Sequence, residues 1–143
     1  MSAVDIARDT LHNRGMGSDQ LPPADDQLLP LNEEAEKERA TQVNNNFDAV
    51  APGLVQNTTE LLFRELWLRP ALAHRDRGLV TVSALIASGQ LAQVTYHRNR
   101  AMDSGLTQKQ ASEVLTHLAF YSGSPNAFSA LPLVKDVIEK RQK

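Results

Sequence analysis

The chain has no cysteine, and this absence removes whole classes of chemistry. Disulfide scaffolds, thiol nucleophiles, thiolate zinc sites and cysteine-held iron-sulfur clusters all require a sulfur ligand or nucleophile. A basic field is lacking too: 15 Lys and Arg stand against 17 Asp and Glu, a formal net charge of -2. Nothing here attracts a phosphate backbone, and nucleic acid is not an expected partner. No apolar run has bilayer length; the longest, from Leu79 to Ala87, is about half of what a crossing needs. The first residues carry Asp5, Arg8 and Asp9 where a secretory leader would be apolar. The expectation is a soluble, cytoplasmic protein with no membrane partner. No glycine-rich loop opens onto a helix and no serine stands in a strand-turn-helix elbow, so nucleotide and serine-hydrolase readings have no support.

A length of 143 residues makes one domain the default. Residues 1–31 read as an N-terminal arm. A short helix from Val4 to Asn13 closes at Gly15, and Pro22, Pro23 and Pro30 punctuate an acidic connection. Residues 32–143 read as the helical domain. Asn32 followed by Glu33, Glu34 and Glu36 is a helix start, because its side chain accepts from free backbone amides while the acids oppose the positive helix end. The charged run up to about Gln42 reads as a solvated face.

From Leu54 the apolar pattern is regular. Leu54, Thr58, Leu61, Leu62 and Glu65 repeat at spacings of three and four up to Trp67, and Arg69-Pro70 ends the helix. Residues 76–88 are apolar nearly all round, which means a central buried helix or, given Val80, Thr81 and Val82, a strand; length and the Ala/Ser tail favour the helix. Gln90 to Ser104 is the next helix, stopped by Gly105, and Thr107 to Gln110 is a capping box for another. That helix carries the cleanest stripe: Ala111, Val114, Leu115, Leu118 and Ala119. Ser124 is expected as an N-cap with Pro125 at the first helical position, and Ala127, Ala130, Leu131, Val134, Val137 and Ile138 lead to the basic tail Lys140, Arg141 and Lys143. No alternating run bounded by hairpin turns occurs, so the fold class is all-α.

Candidate chemistry centres on His97. Gln90, Gln93 and His97 are spaced by three and four, so within one helix they share a face, flanked by Val94 and Ala101. Such a stripe reads as a pocket wall. No metal is expected, since His12, His74 and His117 lack ligand spacing and His97 is flanked by Arg98 and Arg100. Glu65 lies on an apolar stripe, where a carboxylate is costly to bury unless it is paired or faces a cavity. An ion pair with Arg69 is the leading reading. A shared pocket with His97 would instead make an acid/base pair. Arg75-Asp76-Arg77 reads as capping and surface ion pairing.

Four ordered blocks carry a resemblance: FRELWLRP at 63–70, RDRGLVTVSALI at 75–86, YHRNRAMDSGLT at 96–107 and EVLTHLAFYSGSPNAFSA at 113–130. Together they resemble the carboxymuconolactone decarboxylase family over about 47–141. The resemblance implies an all-α fold of about six helices, AhpD-like, assembled as a homotrimer or homohexamer. One branch of that family resembles the AhpD-like alkylhydroperoxidases, which use a Cys-x-x-Cys pair with a histidine four residues on. Anchored on His97, those cysteines fall at Gln90 and Gln93, and the relay glutamate falls near Gly78. A thiolate is indispensable to that reaction, so thiol peroxidase activity is not expected.

The other branch resembles the cysteine-free gamma-carboxymuconolactone decarboxylases, which need no cofactor because the electrons released can flow into a conjugated lactone carbonyl. By this resemblance the substrate is a small cyclic carboxylate or lactone such as 4-carboxymuconolactone. His97 would donate or shuttle the proton, Glu65 would orient or tune His97, and Gln90 and Gln93 would hydrogen-bond substrate oxygens. Arg69 or Arg77 would neutralise the substrate carboxylate. The chain departs from many relatives at Ser124, where they carry tryptophan. A different enzyme on the same pocket, such as an isomerase or cyclase, and a non-catalytic oligomeric ligand- or partner-binding protein are the alternatives.

Overall fold

Asn32 opens the first helix as its sequence context dictates: its side-chain oxygen accepts from Ala35 N at 3.1 Å, and helix α1 runs Glu33–Phe47. The computed structural model describes residues 10, 13–15 and 28–142. The expected helix from Val4 to Asn13 and the acidic, proline-punctuated connection lie largely outside the described residues. Among the described residues every regular element is helical. They fall into two compact units, one reaching to Ala71 and the other starting at Leu72.

In the first unit, α2 spans Pro52–Asn57 and passes directly into a π-helical turn, Thr58–Phe63. The single helix expected up to Trp67 is therefore broken. Arg64 N donates to Thr59 O at 3.1 Å, the i to i-5 bond of a π-turn. The widened turn puts two of its residues on one cation. Arg39 Nη2 donates to Thr59 Oγ1 at 2.9 Å, and the Arg39 guanidinium lies 4.1 Å from the Phe63 ring centre. After Glu65 a 3-10 turn, Leu66–Leu68, follows. The element ends at Arg69, held extended (φ -61°, ψ 128°) by the following proline, as the sequence predicts.

The charged face of α1 is not fully solvated. Glu36 and Arg39 are 2% and 6% exposed, and Arg39 Nε and Nη2 donate to the two Glu36 carboxylate oxygens at 2.9 and 2.7 Å. Two oppositely charged side chains three residues apart can close this fork, which offsets the cost of burying either one alone. Beneath them Phe63 stacks on Trp67 with ring centres 5.9 Å apart.

The second unit holds α3 (His74–Ala87), α4 (Val94–Asp103), α5 (Gln108–Tyr121) and α6 (Ser124–Arg141). Val82 and Ile86 from α3, Val94 from α4, Leu115 from α5, and Ala130 and Val134 from α6 form one buried cluster. The α3 segment is a helix rather than a strand, but it is not buried all round. Gly78, Val82 and Ile86 face inward, while Val80 is 59% exposed. The Thr107 capping box forms as expected, with Gln110 N donating to Thr107 Oγ1 at 3.2 Å and Thr107 N to Gln110 Oε1 at 3.0 Å. One cap moves: the N-cap of α6 is Gly123 at φ 90°, and Ser124 already lies inside the helix without a capping bond. Arg141 ties the end of α6 to α4 by donating to Asp103 Oδ1 at 2.7 Å and Asn99 Oδ1 at 3.0 Å.

Candidate functional site

The helix that carries His97 begins later than the residue spacing implies. Ser88 and Gly89 end α3, with Gly89 at φ 70°, a conformation in which glycine has no Cβ penalty. The chain then makes a 3-10 turn, Leu91–Gln93, before α4 starts at Val94. Gln90 sits ahead of that turn at φ -81°, ψ 59°. It therefore does not continue the helical face of His97. Both glutamines are exposed, and the link between them is a weak backbone bond from Gln93 N to Gln90 O at 3.4 Å.

His97 is half-buried on α4, packed edge-on against Tyr96 with ring centres 5.0 Å apart. Burial lowers its pKa to about 4, and the positive charge of Arg100 contributes in the same direction. At neutral pH the imidazole is therefore uncharged in the ligand-free chain. Arg100 is itself steered by Tyr96, whose hydroxyl accepts from Arg100 Nη1 at 3.2 Å.

The inward stripe of α4 is Val94, Arg98 and Ala101, spaced by four and three. Arg98 is 1% exposed, and its Nε and Nη2 have no hydrogen-bond partner among the described residues. Burial pulls its guanidinium below the ordinary arginine value. In the sequence Arg98 stands out only as a neighbour of His97; its position between Val94 and Ala101 is the available signal.

The remaining candidates divide between the two units. In the first, Arg69 Nη2 donates to Glu65 Oε1 at 3.0 Å, with the Glu65 side chain 15% exposed. This is the ion pair that the sequence favours for Glu65, and it occupies Arg69. In the second unit, Arg77 Nη2 donates to Leu72 O at 3.4 Å. Arg75 pairs with Asp76 at 3.5 Å, as expected for surface charges. His117 stacks on Tyr121 at 4.6 Å. Among the described residues no group of three His, Asp or Glu side chains could hold a metal ion.

An open groove of about 690 Å³ runs along α5 and α6, lined by apolar side chains including Leu115, Phe120, Phe128 and Leu131. None of the candidate catalytic or substrate-binding residues (His97, Glu65, Gln90, Gln93, Arg69 and Arg77) lines it.

Residues 52–136 match the carboxymuconolactone decarboxylase family. Two characterised proteins are similar to the chain. One is a 4-carboxymuconolactone decarboxylase of Acinetobacter baylyi, 29% identical over 75 residues, covering 52% of this chain and 56% of that protein. The other is a nitrosuccinic acid decarboxylase of Metarhizium robertsii, 27% identical over 86 residues, covering 57% of this chain and 60% of that protein. The chain thus spans somewhat more than half the length of each relative. With the family match extending over most of the described helices, the chain belongs to the carboxymuconolactone decarboxylase family.

Proposed function

We propose that the chain is a cofactor-independent carboxy-lyase acting on a small carboxylic acid whose leaving carboxylate sits beside an electron-withdrawing group. The observation that carries this reading is the pair of relatives. Their names describe loss of carbon dioxide from two different acids, one bearing a lactone and the other a nitro group. What those acids share is an electron sink, so the protein has to position the substrate and supply a proton.

His97 is the proton-handling group in this proposal. Decarboxylation of a carboxylate leaves an electron pair on carbon, and the balanced reaction takes up one proton. The neutral imidazole of the free chain cannot deliver that proton without first acquiring it. An anionic substrate bound beside the ring favours the imidazolium by direct charge attraction, so the ring takes a proton from solvent as the substrate binds and passes it to carbon as carbon dioxide leaves. Gln90 and Gln93, next to the start of α4, are proposed to hydrogen-bond substrate oxygens, and Arg77 to face the substrate charge. Glu65 is paired with Arg69 and is given no step in this reading.

Incubation of the purified chain with 4-carboxymuconolactone, and separately with nitrosuccinic acid, tests the reading by ultraviolet absorbance and released carbon dioxide. Turnover of at least one acid is expected, with a loss of about 10²- to 10⁴-fold in His97→Ala. Conversion without carbon dioxide release would point to an isomerase or cyclase. No conversion of either acid would favour the non-catalytic alternative, to which the exposed glutamines and the Glu65–Arg69 pair already lend weight. We further propose a cytoplasmic setting, and a homotrimer or homohexamer, the latter supported by exposed Phe120, Tyr121 and Phe128 on α5 and α6; light scattering of the full chain reads the oligomeric state.

A further inference from the structure

Among the described residues two arginines, Arg39 and Arg98, are buried, and their Nε and Nη2 edges can be compared directly. In Arg39 that edge is filled, because Nε and Nη2 grip the two oxygens of Glu36 at 2.9 and 2.7 Å. In Arg98 the same two nitrogens are buried and have no partner among the described residues. This is the edge that matches a carboxylate with two parallel bonds. Arginine stays protonated inside proteins, so it cannot relieve such burial by losing its charge. An uncompensated buried cation is costly, and a position that held only packing would be served better by an apolar side chain of similar volume. Arg98 nevertheless stands on the innermost stripe of α4, between Val94 and Ala101, both 0% exposed.

We propose that Arg98 is an anion receptor of the second unit, whose Nε and Nη2 edge takes one carboxylate of a small dicarboxylate in the way Arg39 takes Glu36. The site itself follows from the arginine. The choice of a dicarboxylate rests on the decarboxylase reading, in which one carboxylate departs and a second remains to hold the molecule in place. The edge is covered in the free chain, so binding proceeds through a local opening. Arg98 is then a binding residue with a role separate from that of His97. Beside Arg77 it adds a second cation toward a doubly charged substrate.

Succinate is the probe. The full chain, labelled with ¹⁵N, is titrated with succinate at constant ionic strength while the Arg98 Nε–H resonance, assigned through its side-chain carbons, is followed. A saturable shift of that resonance is expected with succinate, and a much weaker one with sulfate or with succinamide. Arg98→Lys, which keeps the charge but loses the fork, should weaken succinate binding by about tenfold or more. Arg98→Met should abolish binding while melting no lower than the native protein in the absence of succinate. An Arg98 resonance that does not respond to succinate overturns the proposal, as does an equal response to sulfate. The titration on the native chain decides the question even if Arg98→Met fails to fold. Succinate binding at Arg98 without turnover of either acid would remove the lyase reading and leave the anion site standing; turnover with a silent Arg98 would do the reverse.

Discussion

Gly78 on α3 lies against Ala101 on α4 so closely that a Cβ built on the glycine would stand 2.8 Å from Ala101 Cβ and 2.9 Å from Ala101 Cα. The second contact is backbone and cannot rotate away, so any side chain at 78 must push the helices apart. By resemblance, the thiol-dependent branch of the family carries its relay glutamate near this position. A glutamate at 78 in this chain would meet the same contact.

Gly78→Ala tests the close approach. Alanine is favoured over glycine inside a helix by about 1 kcal/mol, so an open site would be stabilised. The contact with Ala101 predicts the opposite sign, a net loss of about 1–3 kcal/mol from overpacking, read from the midpoint of urea unfolding.

The buried pair on α1 makes a second stability prediction. Replacing Glu36 by Gln leaves the Arg39 guanidinium buried without its counter-charge, at a cost of about 3–5 kcal/mol. Replacing both residues together, as Glu36→Leu with Arg39→Met, should recover most of that loss, because the penalty belongs to the unpaired charge and not to the absence of the pair. Equal destabilisation of the single and double variants in urea melts would contradict this account.

The periodic helices were legible in the sequence because their signals are local. The Thr107 box, the Asn32 cap and the Ala111–Leu115 stripe depend on residues within one or two turns of each other, and they form. The π-turn at Thr58–Phe63 was not legible, and the partner of its Thr59 and Phe63 is Arg39 of another helix. Glu36 and Arg39 likewise read as solvated charges: burial is decided by elements far away in the chain. At the candidate site the spacing of Gln90, Gln93 and His97 assumed one continuous helix. Gly89 in the left-handed region and the 3-10 turn after it break that continuity, and the inward stripe of α4 passes through Arg98 instead.

His97 gives the chain a defined acid response. Its pKa of about 4 in the folded chain lies below the ordinary 6.5, so between these values the unfolded chain holds more protons than the folded one. Stability from this group is complete above pH 6.5, falls as pH drops through the window, and stops changing below about pH 4. Allowing for the exposed part of the ring, the loss is roughly 1–2 kcal/mol. Urea unfolding of the native chain and of His97→Gln at pH 7 and at pH 4.5 should show this difference in the native chain only.

The same histidine predicts a separation between two pH profiles of the proposed reaction. In kcat/KM the reference is free enzyme, whose imidazole binds its proton with a pKa of about 4. If the proton delivered to carbon comes from His97, kcat/KM must fall about tenfold for each pH unit above that value, because ever less of the free chain is protonated. In kcat the reference is the complex, where substrate charge has raised the imidazole pKa. The kcat plateau must therefore extend to higher pH than the kcat/KM plateau, and substrate binding between the two values must draw a proton from solution. Calorimetry in buffers of different ionisation enthalpy reads that uptake. Coincident profiles, or binding with no proton uptake, would remove His97 as the donor even if His97→Ala were inactive, since loss of a hydrogen-bonding group alone lowers activity without linking it to this pKa.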